Sequence, residues 1–262
     1  MTSRAHRDRL PPVENTSQAR TTLVGAATGA THIQLDAVTL PPRSSMAGVT
    51  RLAETALVVL AGTITVEGAG TLSAGGWAHI PIGESLEISN PSDQPAQWVE
   101  TVCPQLRDSD ILPDQRPSPQ VVVGASAQHV RAGTVDLTQS LPPAPTPAFA
   151  IGNISGATAA AVVSAATGAD RLVLLFIEYA PGGSMNPHDH PFEEAYVFVE
   201  GEMEGVIDGT SERFGAGDVL WTGVGNVHGF TNVGEVPARW IEVQSPLPPP
   251  RFGARFASVW GG

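Results

Sequence analysis

Apolar and polar residues alternate along this chain in short runs, and Gly, Pro, Asn and Asp separate the runs. A period of two puts every second side chain on the same face of a strand, so the pattern predicts β-structure almost throughout. The clearest strands are expected over Leu172–Tyr179, Glu194–Val199, Glu202–Ile207, Asp218–Thr222 and Arg239–Val243. With 28 Gly and 23 Pro in 262 residues and only 15% charged residues, composition also favours a turn-rich all-β protein over a helical one.

The pattern occurs twice. Val24-Gly-Ala-Ala-Thr-Gly-Ala30 returns as Val163-Ser-Ala-Ala-Thr-Gly-Ala169, an offset of 139 (163 minus 24). Glu54 to Gly62 returns as Glu193 to Gly201 at the same offset. Asn90 to Trp98 matches Asn232 to Trp240 at an offset of 142 (232 minus 90), so an insertion falls in the hairpin after Gly201. A repeat this long is a duplicated domain. The expected division is a first domain over 1–106, a linker over 107–120, a second domain over 121–246 and a tail over 247–262. The linker is Pro-rich, as is Leu141 to Pro147 ahead of the second domain. The tail holds Phe252, Phe256 and Trp260, apolar enough to dock on a barrel or a partner subunit.

Charge narrows the partners. A net charge of -12 argues against nucleic acid and anionic membranes. All 14 basic residues are Arg, which excludes Schiff-base chemistry and lysine-held phosphate loops. Cys103 stands alone and reads as a buried thiol, so no disulfide framework and no thiolate metal cluster are expected. No apolar segment is long enough for a signal peptide or a membrane span, and a cytoplasmic protein acting on a small molecule is expected.

The chemistry concentrates in the second copy. Its first segment reads Gly182-x5-His188-x-His190-x3-Glu194-x6-Gly201, and its second Gly217-x5-Gly223-x-Gly225-x2-His228-x3-Asn232. On a strand His188 and His190 face the same way, Glu194 shares their parity, and a neighbouring antiparallel strand brings in His228. Three imidazoles and a carboxylate suit a mononuclear divalent metal site. These segments resemble the two motifs of the cupin family, departing at Gly223, where the family usually carries Pro. The resemblance implies two tandem double-stranded β-helix (jelly-roll) barrels, a bicupin, usually paired as a homodimer. It also implies one metal per chain, from among Fe, Mn, Ni, Cu and Zn, on His188, His190, Glu194 and His228. Glu194 and Tyr196 are the expected catalytic residues; Phe198, Trp221 and Phe230 are the expected substrate-pocket residues.

Sliding the ligand positions back places Val49, Arg51, Thr55 and Leu86 in the first copy, so its barrel is expected to be degenerate and metal-free. Arg51 is expected to find a partner in Glu54 or Glu87, or else to bind an organic anion. Glu193, with parity opposite to Glu194, is expected in solvent; Trp98, Trp240, Glu100 and Glu242 recur in both copies and read as architectural. Quercetin dioxygenases and oxalate decarboxylases are similar in using three His and one Glu, which makes dioxygenase-type oxidoreductase chemistry the leading expectation. The alternative is non-redox hydrolase, lyase or cyclase chemistry, as in the similar bicupin architecture of ureidoglycine aminohydrolases, whose ligand order differs. Small-molecule binding without catalysis is a third reading.

Overall fold

The computed structural model describes residues 5–13, 17–105, 129–142, 152–248 and 254–256. The chain opens with β1 (Ala5–Arg9). The first repeat then supplies β2 (Ala19–Val24), β3 (Gln34–Leu40), β4 (Ser44–Thr50), β5 (Glu54–Ala61), β6 (Thr63–Val66), β7 (Gly70–Ser73), β8 (Gly76–Ile80), β9 (Ser85–Asn90) and β10 (Ala96–Cys103). After β11 (Arg131–Thr134), the second repeat supplies β12 (Ile154–Val163), β13 (Val173–Asp189), β14 (Glu193–Glu200), β15 (Glu202–Ile207), β16 (Thr210–Gly215), β17 (Asp218–Thr222), β18 (His228–Asn232) and β19 (Ala238–Ser245), and β20 (Arg255–Phe256) comes last. All pairings are antiparallel, and the architecture is that of tandem jelly-roll barrels.

In the first repeat a sheet ordered β11-β8-β5-β10-β3-β2 faces a smaller one ordered β4-β9-β6-β7. The second repeat follows the same plan, but β13 runs unbroken through the positions of β3 and β4 and joins both of its sheets. The predicted strand at 172–179 is therefore the first half of a longer one that carries on to the metal motif. Two strands cross the boundary expected from the sequence. β1 pairs with β17 of the second barrel, and β11 pairs with β8 of the first. The expected linker at 107–120, and Phe252 and Trp260 of the tail, lie outside the described residues.

The central strands are apolar on both faces because both faces are covered. Leu57 and Val59 of β5 point into the first barrel with Trp98 and Ile88. Tyr196 and Phe198 of β14 point into the second with Phe214, Phe230 and Trp240. The alternate positions, Ala56 and Val58 in one repeat and Ala195 and Val197 in the other, meet in a third core between the barrels, together with Leu35, Phe176, Trp221 and Ile241. A slip of one residue in either strand would exchange the barrel interior for the inter-barrel core. Gly201 closes the hairpin after β14 at φ +78°, where an added Cβ would lie 2.5 Å from the Ala238 backbone.

Two acids lock this interface, and they correct the expectation for Glu193. Glu193 is 2% exposed. Its carboxylate accepts the backbone N–H groups of Thr31, His32 and Ile33 at 2.8, 3.0 and 3.1 Å, and the Thr31 hydroxyl at 2.6 Å. Glu54, its counterpart, accepts the N–H groups of Asp170 and Arg171, both at 2.7 Å, and contacts His79 Nε2 at 3.2 Å. Each barrel thus supplies a carboxylate for the other barrel's loop, related by the repeat offset. Cys103 is fully buried beside Ser245, and burial pushes its thiol up to about 12, which makes it unreactive.

Candidate metal centre

His188 is the last residue but one of β13, and His190 follows in the turn before β14, whose second residue is Glu194. β18 begins at His228, which the register sets directly opposite His188. All four side chains are buried, with 1–4% exposure. The donor atoms of His188, His190 and His228 lie within 4.8 Å of one another. Glu194 Oε2 is 2.7 Å from His190 Nε2 and 3.1 Å from His228 Nε2. The expected ligand set is brought together.

The proton inventory says what the set is for. Each ring has Nδ1 against a backbone carbonyl: His188 on Asn186 at 3.0 Å, His190 on Phe192 at 2.8 Å, and His228 on Asn226 at 3.2 Å. A carbonyl only accepts, so each Nδ1 carries the proton and each Nε2 turns a lone pair inward. Three such lone pairs and a carboxylate oxygen converge in a space that few protons reach. A divalent cation satisfies all four at once, and the carbonyl contacts are the outer supports that ligating imidazoles generally have. The residues fit a metal.

Without a cation the same crowding shifts the titrations. Burial, reinforced by His228, pulls His188 down to about 3. Burial also opposes the charge on His190, but the adjacent Glu194 carboxylate outweighs it and the net shift is upward. Glu194 is held well below the usual carboxylate range: burial opposes its ionisation, and His190 and His228 overcome it. In the unfolded chain His188 takes a proton near 6.5, so between 6.5 and about 3 the unfolded state binds more protons. The His188 contribution to stability is thus intact above 6.5 and declines as pH falls toward 3. Urea midpoints of metal-free protein should fall across this window, and less steeply in His188→Gln; parallel curves for the two proteins would contradict the assignment.

Tyr196 is 1% exposed and stands inside the cluster. Its hydroxyl makes a short hydrogen bond to Glu194 Oε2 and lies 3.0 Å from His228 Nε2. Burial and the Glu194 charge raise its proton affinity well above that of an ordinary phenol. Phe230 packs 5.3 Å from the Tyr196 ring, and Phe198 lies deeper, stacked on Phe214. Trp221 is not brought to the site. It pairs with Ala195 on the opposite face of the sheet and packs in the inter-barrel core. Its neighbour Thr222, opposite Glu194, has the parity that Trp221 was expected to have.

Several site residues escaped sequence reasoning. Phe192 stacks on His190 with ring centroids 4.0 Å apart and planes 4° from parallel. Phe256 pairs with His188 in register, its ring 5.3 Å from the imidazole, and Arg255 beside it forms an ion pair with Asp189. The apolar character of the tail was the reason to expect it on a barrel or a partner subunit, but nothing local pointed to His188. Gln244 donates to Glu194 Oε1 at 2.9 Å; its parity with Trp240 and Glu242 was the available signal.

In the first barrel Arg51 stands where His190 stands in the second. Its partner is neither Glu54 nor Glu87 but Glu100, at 2.7 Å, with the Thr55 hydroxyl at 3.0 Å. Arg20 joins Glu100 at 2.9 Å and Asp36 at 2.7 Å. Two guanidiniums and two carboxylates balance, so Arg51 is engaged within the protein. Separately, a cleft of about 590 Å³ runs between the barrels past Leu10, Leu60, Leu137 and Arg239, and none of the site histidines lines it. Among the described residues no helix is long and apolar enough to cross a membrane.

Comparison with known proteins agrees with this geometry. A family model described as "Cupin domain" matches residues 175–244, which span from β13 to β19 and include all four ligand candidates. The chain is 36% identical over 100 residues to the tetracenomycin polyketide synthase protein TcmJ of Streptomyces glaucescens, a match covering 37% of this chain and 67% of that protein. Its fold is similar to Lactobacillus farciminis oxalate decarboxylase, solved as a formate complex, with a TM-score of 0.63 at 17% identity over 97% of this chain and 89% of that one. It is also similar, with a TM-score of 0.60 at 11% identity over 97% of this chain and 80% of the other, to Bacillus subtilis oxalate decarboxylase in a study of its Mn(II) centres. Motif, barrel and relatives agree that the chain belongs to the cupin superfamily.

Proposed function

We propose that the chain is a metal-dependent enzyme with one mononuclear site in its second barrel, acting on a small enolic, phenolic or diketone compound. The observation that carries this reading is the convergence of three inward Nε2 lone pairs and the Glu194 carboxylate. His188, His190, Glu194 and His228 would hold the metal. Bound there, it would supply Lewis acidity and open positions for substrate oxygen or dioxygen. Fe, Mn, Ni, Cu and Zn all accept this donor set.

The chain's own residues do the rest. Glu194 stays ionised, and Tyr196 donates to its Oε2 and holds the carboxylate in place. Glu194 would take the proton of an enolic or phenolic hydroxyl only on loosening from the metal. Phe230 and Phe198 give the barrel an apolar interior that excludes water beside the site. The similarity to the polyketide synthase protein TcmJ supports a polyketide as the substrate class. The first barrel, with Arg51 engaged by Glu100, serves as scaffold and carries no metal in this proposal.

Dioxygenase-type chemistry is the leading form of the proposal. Its test is turnover of a panel of polyphenols and 1,3-diketones by protein loaded with Fe, Mn, Ni or Cu, with oxygen uptake recorded. Product that forms only in air, with Glu194→Gln slower by about 100-fold or more, is the expected result. The same product formed without oxygen would overturn the oxygenase and support non-redox cyclase or lyase chemistry.

A further inference from the structure

Glu194 has one carboxylate oxygen left over. Oε2 faces His190, His228 and Tyr196, whereas Oε1 accepts Nε2 of Gln244 at 2.9 Å. The buried Glu242 carboxyl also lies against Glu194, and burial and the Glu194 charge raise its proton affinity. The Gln244 amide donates to Glu242 Oε1 at 2.7 Å, and Glu242 Oε2 accepts Trp240 Nε1 at 3.0 Å. Trp240, Glu242 and Gln244 alternate along the inner face of β19. Register sets them opposite Phe198, Tyr196 and Glu194 of β14 in turn. A row of polar groups, buried at Trp240 and Glu242 and half-buried at Gln244, therefore runs beside the site and ends on the carboxylate.

The first repeat is an internal control. Trp98 and Glu100 occupy the places of Trp240 and Glu242, and Trp98 Nε1 lies 3.4 Å from Glu100 Oε2. The place of Gln244 is taken by Val102, in register with Thr55, which stands where Glu194 stands. The barrel therefore closes over an aliphatic side chain at this position. The amide appears where the carboxylate does, and the fold does not require it.

We propose that Gln244, held in turn by Glu242, is a positioning residue that fixes the orientation of the Glu194 carboxylate. By engaging Oε1 it leaves Oε2 alone to face the imidazoles. This rests on the reading of Glu194 as a metal ligand. Loss of the amide removes the donor to Glu194 Oε1, freeing the carboxylate to rotate, and leaves Glu242 with Trp240 alone.

The test is titration with Co(II), followed by visible absorption and by competition with a chelator. The proteins are wild type, Gln244→Val, Gln244→Met, Glu242→Gln, Glu194→Gln, Glu194→Gln/Gln244→Val and His188→Ala. Gln244→Met fills a similar volume in case the valine variant folds poorly. Both single Gln244 variants are expected to bind Co(II) about 10- to 100-fold more weakly, with a shifted spectrum. Glu242→Gln has a single amide oxygen, which can serve Gln244 or Trp240 but not both, and is expected to weaken Co(II) binding less than either Gln244 variant. In the Glu194→Gln background the valine substitution should add no further loss. Wild-type affinity and spectrum in both Gln244 variants, or an equal loss in the Glu194→Gln background, would overturn the assignment. Wild-type protein that takes up no Co(II), or His188→Ala that takes it up unchanged, would overturn the metal centre itself, so the two failures are distinguishable.

Discussion

His188→Ala is expected to purify folded but without the roughly one equivalent of divalent metal that the wild-type protein should retain. Three neutral imidazoles and a carboxylate make a four-donor set; removing the imidazole opposite His228 breaks the pair that the β13–β18 register creates. The remaining donors are then a carboxylate and two rings, one of which Glu194 engages at 2.7 Å. Wild-type protein should also gain stability on metal addition, by about 4 kcal/mol once free metal exceeds the dissociation constant 1,000-fold. The variant should show no such shift. Elemental analysis of protein purified without a metal-affinity tag, with thermal melts in chelator and in added metal, reads both. Iron, manganese, nickel or copper lost in the variant favours oxygen chemistry, and zinc favours hydrolase, lyase or cyclase chemistry. Metal content unaltered by the substitution would remove the basis for an active site here.

Glu193→Ala should be among the most destabilising single changes away from the metal centre. Three backbone N–H groups and one hydroxyl depend on that carboxylate, and all four belong to the other barrel. A buried donor left without an acceptor costs about 1–3 kcal/mol, and partial relaxation should bring the total to the order of 4 kcal/mol. Surface substitutions usually stay within about 0.5 kcal/mol, so the sequence-based expectation of a solvated Glu193 and the observed buried one give different results. Urea denaturation separates them. A change below about 1 kcal/mol would mean that the inter-barrel contact contributes little in solution. Glu54→Ala should follow the same course more weakly, since two N–H groups and His79 are left.

Parity explains what the sequence did and did not reveal about the site. It placed Glu194, Tyr196 and Phe198 on one face and Glu193 on the other, and the barrel keeps that division. The error lay in taking the second face to be water. A duplicated domain buries that face against its twin, so Glu193 and Trp221 end in the inter-barrel core region instead of solvent or pocket. The partner of Arg51 escaped for a different reason, within one barrel. Glu54 lies three residues from it in the chain, whereas Glu100 is brought to it by the fold of the sheet that pairs β5 with β10.

The sequence by itself determined the all-β class, the duplication and the four candidate ligands. These are periodic or local properties, fixed by the two-residue repeat of a strand and by Gly and Pro at the turns. The tertiary structure alone decided which oxygen of Glu194 meets the imidazoles, that Gln244 engages the other, and that Phe256 lies against His188. It also decided that β1 and β11 each complete a barrel to which they were not assigned. Contacts of this kind join residues far apart in the chain, and their register comes from packing whole sheets, which no local pattern encodes.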